Sequence, residues 1–262
     1  MAWVKETAML AGMIKCRLAG TGAPFEPMGL GSTMEQAHEV NKITLANTMN
    51  VAGGNYDSTS RVTAMTLNFN FREFFTANYV RFLWASFTTL QSEAVTGEKQ
   101  VAKVGMTTML DKMPLTITSV VDAETGLIEF EEDIEWKLAG SGIEPLPGGA
   151  LATAIEEAEG DYLIEVDYQT ADFDNIQPLA TSGEELELLF EGVNAVGTQK
   201  RTNNLYYRCK FDLAATLSWI NVEDFMGMDV TCEVLADPSR IGPGLSPFMK
   251  IMKERPALVA TP

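Results

Sequence analysis

In RVTAMTLNFNF (61–71), apolar and polar side chains alternate without a break from Met65 to Phe71. Met65, Leu67, Phe69 and Phe71 share one side, and Thr66, Asn68 and Asn70 the other. Successive side chains of a strand point to opposite faces, so a period of two marks a half-buried strand. The same alternation predicts strands at 13–19, 38–49, 114–122, 126–133, 161–169 and 227–238. In FTANYVRFLWASF (75–87) the period changes: Tyr79, Phe82, Leu83 and Phe87 recur every three or four residues, with Thr76 at the N-cap position. That spacing predicts an amphipathic helix. Gly- and Pro-rich stretches at 20–32, 50–60 and 139–160 read as loops, although ALATAIEEAE (150–159) can form a short helix. Residues 88–112 show no clear period. The sum is about nine strands and one firm helix, with no linker and no internal repeat. The expected fold is mainly β: a single domain over 1–262, built as a β-sandwich or partly open barrel with one flanking α-helix, an N-terminal arm over about 1–12 and a Pro-rich tail over about 239–262.

The stretch ELELLFEGVNAVGTQKRTNNLYYRCKFDL (185–213) raises a question of its own. Its first run sets Leu186, Leu188 and Phe190 against Glu185, Glu187 and Glu191. Its second sets Tyr207, Cys209, Phe211 and Leu213 against Arg208, Lys210 and Asp212. One strand is faced with acid and the other with base, and such faces can pair across a sheet, within or between subunits, for roughly 0.2–1 kcal/mol per pair. The connector between them, GVNAVGTQKRTNN (192–204), reads as a polar loop far longer than a hairpin needs.

Charge sharpens the picture. The net charge is −17, and residues 122–192 hold 20 acidic residues against one basic, Lys137. An acidic block does not neutralise phosphates, which argues against nucleic-acid affinity while leaving room for nucleic acid to pass close by. Like-charge solubility is the alternative role. No run of apolar residues reaches the ~18 that a membrane helix needs, and the N-terminus lacks a signal-peptide pattern. The three cysteines, Cys16, Cys209 and Cys232, sit at apolar positions of strand-like runs and read as buried free thiols.

Candidate chemistry is sparse. One histidine, His38, is too little for a Ser-His-Asp arrangement without a G-x-S-x-G turn, and with three scattered cysteines it offers no zinc motif. The acidic runs EFEED and AIEEAEGD lack clustered aromatics for a sugar cleft and a D-x-D-x-D-G loop for calcium. GTGAPF breaks the dinucleotide pattern, and GLGST lacks the lysine of a phosphate loop. We expect no catalytic residue, no metal, no cofactor and no enzyme activity. Long loops, an arm and a proline-rich tail cost entropy that contacts with neighbours can offset, so the chain reads as one made for protein partners.

Three stretches carry a resemblance. AMTLNFNFREFFTANYVRFLWA (64–85) is a strand, a short turn and a helix opening near Asn78; VVDAETGLIEF (120–130) is a strand, a Gly turn and a strand; LLFEGVNAVGTQKRTNNLYYRCKFDLAATLSWINVEDFMGMDVTCEVLADPS (188–239) leads from FEGVN through a strand to a final strand ending in LAD. In this order they resemble the major tail tube proteins of long-tailed bacteriophages, over roughly 60–240. The resemblance implies a β-sandwich with a flanking helix whose copies form hexameric rings stacked into a hollow tail tube. It implies contacts with tail tip, tail terminator and tape measure proteins, DNA passing without specific binding, and residence in the virion tail after assembly in the host cytoplasm. On this view Gly192, Asn194, Lys200, Arg201 and Asn203 form a subunit-interface loop, and Glu185, Glu187, Arg208 and Lys210 are charged strand faces. Glu129, Glu131, Glu132 and Asp133 are acids of the lumen or outer surface. Another virion component, a tail completion or capsid decoration protein, and a non-enzymatic binding sandwich are the alternatives.

Overall fold

A computed structural model describes residues 7–49, 51–196 and 200–255. The protein is mainly β, 52% strand and 6% helix, in several antiparallel sheets, none closed into a barrel. Where the sequence reads as one domain, the chain packs as two compact units. Unit 1 comprises residues 1–86 and 176–262, and unit 2 comprises residues 87–175.

Unit 1 opens with β1 (Leu10–Leu18), β2 (Glu26–Pro27), β3 (Gly31–Ala46) and β4 (Asn55–Phe71), followed by helix α1 (Thr76–Phe82). Strand β5 (Ser86–Leu90) leads out of it. Unit 2 then runs through β6 (Ala94–Ala102), β7 (Thr108–Met109), β8 (Pro114–Asp122), β9 (Trp136–Ala139), β10 (Gly142–Pro145), helix α2 (Ala150–Glu157) and β11 (Tyr162–Thr170). The chain returns through β12 (Phe173–Gln177), which pairs with β5. Unit 1 is completed by β13 (Glu185–Asn194), β14 (Arg201–Phe211), β15 (Thr216–Leu217), β16 (Met228–Val234) and β17 (Met249–Lys253).

The main sheet of unit 1 has the order β2-β1-β13-β14-β16-β4-β3, with β15 on β16 and β17 on β14. Its buried face follows the alternation in the sequence. Met65, Leu67, Phe69 and Phe71 of β4 pack with Met228, Val230, Cys232 and Val234 of β16, with Leu186 and Leu188 of β13, and with Ile14 and Cys16 of β1. All three cysteines are free and buried; burial pushes the Cys16 thiol up to about 11, so it stays protonated and inert. Helix α1 inserts Phe82 between Phe71 and Phe211, with ring centroids 4.9 and 5.0 Å away. It is shorter than the periodicity implies, seven residues with Phe75 as N-cap, because Trp84 turns the backbone to φ 50° just before β5. Asn78, fully buried, donates through Nδ2 to the carbonyls of Met28 and Glu73 at 3.0 and 3.1 Å. That side chain ties the helix to the segment after β2.

Unit 2 has its own core, built from Leu110, Val120, Phe130, Trp136, Ile143, Leu151, Ile164, Val166 and Tyr168. It contains two three-stranded sheets, β6-β11-β8 and β7-β10-β9. The region 88–112 without readable period contributes β6 and β7. The expected strand over 126–133 is absent. Only single bridges join Val121 to Glu129 and Glu132 to Trp136, and Asp133 takes a positive φ of 62°. Buried groups order this segment instead of a ladder. Phe130 is buried, the Trp136 indole donates to the Phe130 carbonyl at 2.8 Å, and the Glu135 carboxylate accepts the N–H groups of Glu131 and Ala150, each at 2.9 Å. The second contact satisfies a free N–H at the start of α2, the helix that 150–159 allowed.

Candidate assembly surface

The acid-faced strand β13 lies between two basic neighbours. On one side β1 pairs with it so that Arg17 stands opposite Glu187 and Cys16 opposite Leu188. On the other, β14 sets Lys210 opposite Glu185. The Arg17 guanidinium binds Glu187 at 2.6 Å, donates to the Ala23 carbonyl and lies 4.4 Å from the centre of the Phe25 ring. Lys15 reaches Glu191 at 2.5 Å. Arg208 forks onto both oxygens of Glu185, at 2.8 to 3.1 Å. The strand faces are therefore joined within one chain, and a third strand that the sequence reading did not pair with them, β1, supplies half of the base. The signal was present in MIKCRL, where Lys15 and Arg17 alternate with core residues as the acids of β13 do.

A bulge between Leu186 and Leu188 shifts the β14 register, pairing Cys209 with Leu186 but Tyr206 with Leu188. The core face of β14 is consequently Tyr206, Cys209 and Phe211. Tyr207, expected on that face, instead has the Arg240 guanidinium stacked 3.8 Å over its ring. Leu213 lies past the strand end and is exposed. Burial raises the Tyr206 hydroxyl to about 12; it donates to Gln36 Oε1 at 2.7 Å, and Gln36 Nε2 lies 2.8 Å from the ring of the single histidine, His38, on β3.

The long connector over 192–204 is overturned. Strand pairing continues through Gly192 opposite Thr202 and Val193 opposite Arg201, and β1 covers the other edge. Only residues 195–200 link the strands, and 197–199 lie outside the described residues. The polarity of the segment misled the reading, because backbone pairing on both edges holds it as strand. Gly192 is buried beside Gly12, its partner in β1, and a Cβ on Gly12 would collide with the Glu191 carbonyl. Asn194 is buried: its Oδ1 accepts the N–H of Met9 at 2.8 Å, and its Nδ2 donates to the Thr7 carbonyl at 3.0 Å. It thus clamps part of the expected N-terminal arm, the first six residues of which lie outside the described residues. Lys200 and Arg201 both reach Glu254, at 3.6 and 3.2 Å, and Asn203 pairs with Met252 of β17, a strand in the expected tail. Gly192, Asn194, Arg201 and Asn203 thus lie in paired strands, and Lys200 in the short link between them. Residues 256–262 of that tail lie outside the described residues. Glu129, Glu131, Glu132 and Asp133 are all exposed, in unit 2.

The surfaces that lack internal cover lie elsewhere. β16 pairs with β4 only from Thr66 to Phe71, whereas β3 accompanies β4 to Asn55. The distal part of this hairpin is a two-stranded ribbon, roughly 25 Å long at ~3.3 Å per residue. Every residue from Glu35 to Ala46 and from Asn55 to Thr63 is exposed, among them Val40, Ile43, Leu45, Tyr56 and Val62. This ribbon includes most of a segment, 50–60, that reads as loop. At the root of the same hairpin, Met13, Pro27, Leu30, Glu73 and Phe75 line an open hollow of about 590 Å³. The loop over 219–225 lies beside it. Arg72 donates to the Phe225 carbonyl and meets Asp224 at 3.5 Å, while its own N–H bonds the Leu30 carbonyl. Trp219 stacks on Tyr79 yet is 69% exposed, and Ile220, Val222 and Phe225 are more exposed still. Apolar residues grouped in this way mark interaction surfaces.

Fold and surface define a mainly-β protein with an exposed two-stranded ribbon that carries scattered apolar residues and an apolar patch at its root. The chain belongs to a family described as "Protein of unknown function UCP028589", whose model matches residues 7–252. No curated protein matches the chain. Among the described residues no group of three or more His, Cys, Asp or Glu is placed to hold a metal, and no helix is long and apolar enough to cross a membrane.

Proposed function

We propose that the protein is a structural subunit that assembles with copies of itself into stacked hexameric rings, forming a hollow tail tube through which phage DNA passes. The observation that carries this reading is the β3–β4 ribbon. A two-stranded hairpin has marginal stability alone in water, and this one exposes apolar side chains along both strands. A neighbouring copy that covers it removes both liabilities, and repeated in a ring or stack the contact becomes the joint of a polymer. The main sheet with α1 on its face is then the sandwich of the tail tube proteins, and tail tip, terminator and tape measure proteins are its partners in the virion.

Charge supports the same reading. Unit 2 contains 19 acidic and 4 basic residues, net −15, and unit 1 contains 17 and 15. Nearly all the net negative charge, −15 of −17, thus lies on one unit, where it repels DNA that passes near it. Negative-stain electron microscopy of the purified protein tests the proposal. Rings with a central hole or tubes are expected. A strictly monomeric particle at high concentration, unchanged by added tail tip complexes, refutes it.

A further inference from the structure

We infer that the tip of the β3–β4 hairpin of one copy seats in the apolar hollow at the root of the same hairpin in the next copy. The inference rests on the self-assembly reading and names the two surfaces that meet. Strand β3 starts at Gly31, directly after Leu30 of the hollow, and β4 ends at Phe71, just before Glu73 and Phe75. The exposed apolar tip and the exposed apolar root are therefore opposite ends of one continuous ladder.

The two ends also match in chemistry. Ile43 and Leu45 share a face of β3, and Arg61 shares it from β4 through its pairing with Asn41. Neither Arg61 nor Lys42 of the tip enters a salt bridge among the described residues. Asp57, on the same face, accepts its neighbour's N–H from Ser58 at 2.7 Å. At the root, Leu30 and Phe75 are exposed beside Glu73, and Trp219 and Phe225 beside Glu223. Glu73 and Glu223 are exposed and likewise enter no salt bridge among the described residues. The tip face that carries Ile43 and Leu45 thus offers apolar residues and the Arg61 cation, with Asp57 as the one acid on it, to a root with apolar residues and the carboxylates of Glu73 and Glu223.

The geometry has a further consequence. In the ring or stack, each copy gives its tip to one neighbour and receives another's at its root, a heterologous contact that propagates; reciprocal exchange between two copies would instead close as a dimer. The step between copies is bounded by the hairpin, at most roughly 50 Å for the 16 residues of β3 at ~3.3 Å each.

Cysteine pairing tests this in the full-length chain, because the three native thiols are buried. The variants Leu45→Cys and Phe75→Cys, each made separately, are mixed under mild oxidation, with Leu45→Cys plus Leu179→Cys as control. A disulfide-linked dimer is expected in the first mixture at least tenfold above the control. A single chain that carries both substitutions is expected to give a ladder of covalent oligomers. Wild-type protein is imaged in parallel. Rings or tubes of the wild type without the Leu45–Phe75 crosslink would overturn the tip-to-root contact and leave the assembly reading standing. A dimer band without a ladder from the double variant would overturn the heterologous geometry. Monomers throughout, with no crosslink and no change on adding tail tip complexes, would remove both readings.

Discussion

Arg17 and Glu187 show how much depends on single side chains in this sheet. Their side chains are 22% and 9% exposed, so removal of the cation leaves a carboxylate nearly out of water. Breaking such a pair is destabilising because the remaining charge has no compensation. Arg17→Met should lower unfolding stability by about 3 kcal/mol in urea titration, and Arg17→Lys, which loses the second of two N–H contacts to Glu187 Oε2 and the stacking on Phe25, should recover only part of it. Asp122 gives a second prediction, with a sign. Its carboxylate accepts the Tyr162 hydroxyl at 2.7 Å and the N–H and hydroxyl of Thr125 at 2.7 and 2.8 Å. It is 7% exposed yet lies in a shallow turn, so hydrogen bonding outweighs burial and holds its pKa at about 2, below the usual 3.8. A carboxylate depressed in the folded state stabilises above its unfolded pKa. That contribution, about 2 kcal/mol, should be present above pH 4 and fade as the pH falls toward 2. Asp122→Asn should flatten the stability profile of unit 2 in that window, measured by hydrogen exchange at β8 and β11.

At the scale of elements, the ribbon separates folding from assembly. Shortening the hairpin to an Asn-Gly turn between Glu39 and Ala64 removes exposed residues and leaves the core of β4 in place. The variant should melt cooperatively, within a few degrees of wild type, and form no rings or tubes in the microscope. Full-length tubes from it would remove the ribbon from the assembly reading. The elements also divide by how far the chain announces them. Residues 65–71, 162–168 and 228–234 are strands in both readings, because one face is buried and the other wet, which is the condition that writes alternation into a sequence. The ribbon is wet on both faces in the isolated chain, so residues 50–60 carry turn-like polarity and read as loop. Residues 192–194 and 200–203 read as loop for the opposite reason: their polar groups are engaged by two adjacent strands and by Thr7, Met9 and Glu254, none of them near in sequence.

For the whole molecule, the division into two units makes the charge modular. The chain leaves unit 1 through β5 and returns through β12, which pair with each other, so replacing residues 92–171 with an Asn-Gly turn should leave unit 1 folded as judged by a single cooperative melt. Loss of cooperative folding would show that unit 2 supports unit 1. Reversal of Glu129, Glu131, Glu132 and Asp133 to Lys removes four negative charges and adds a cluster of four positive ones, shifting unit 2 from −15 to −7. The variant should retard duplex DNA in gels at low salt, where the wild type should not, and the retardation should vanish at ~0.3 M salt.

By itself the sequence determined the mainly-β class, the core faces of β4, β11 and β16, the burial of three thiols and the concentration of net negative charge in the middle of the chain. These follow from burial patterns and charges that are local in sequence. Tertiary structure alone decided the rest. The partners of Glu185 and Glu187, the bulge that brings Tyr206 in place of Tyr207 to the core, the split into two units and the meeting of Leu30 and Phe225 at Arg72 all depend on pairings between distant segments. Strand alternation fixes which face of a residue is buried, and it carries no record of which strand lies alongside.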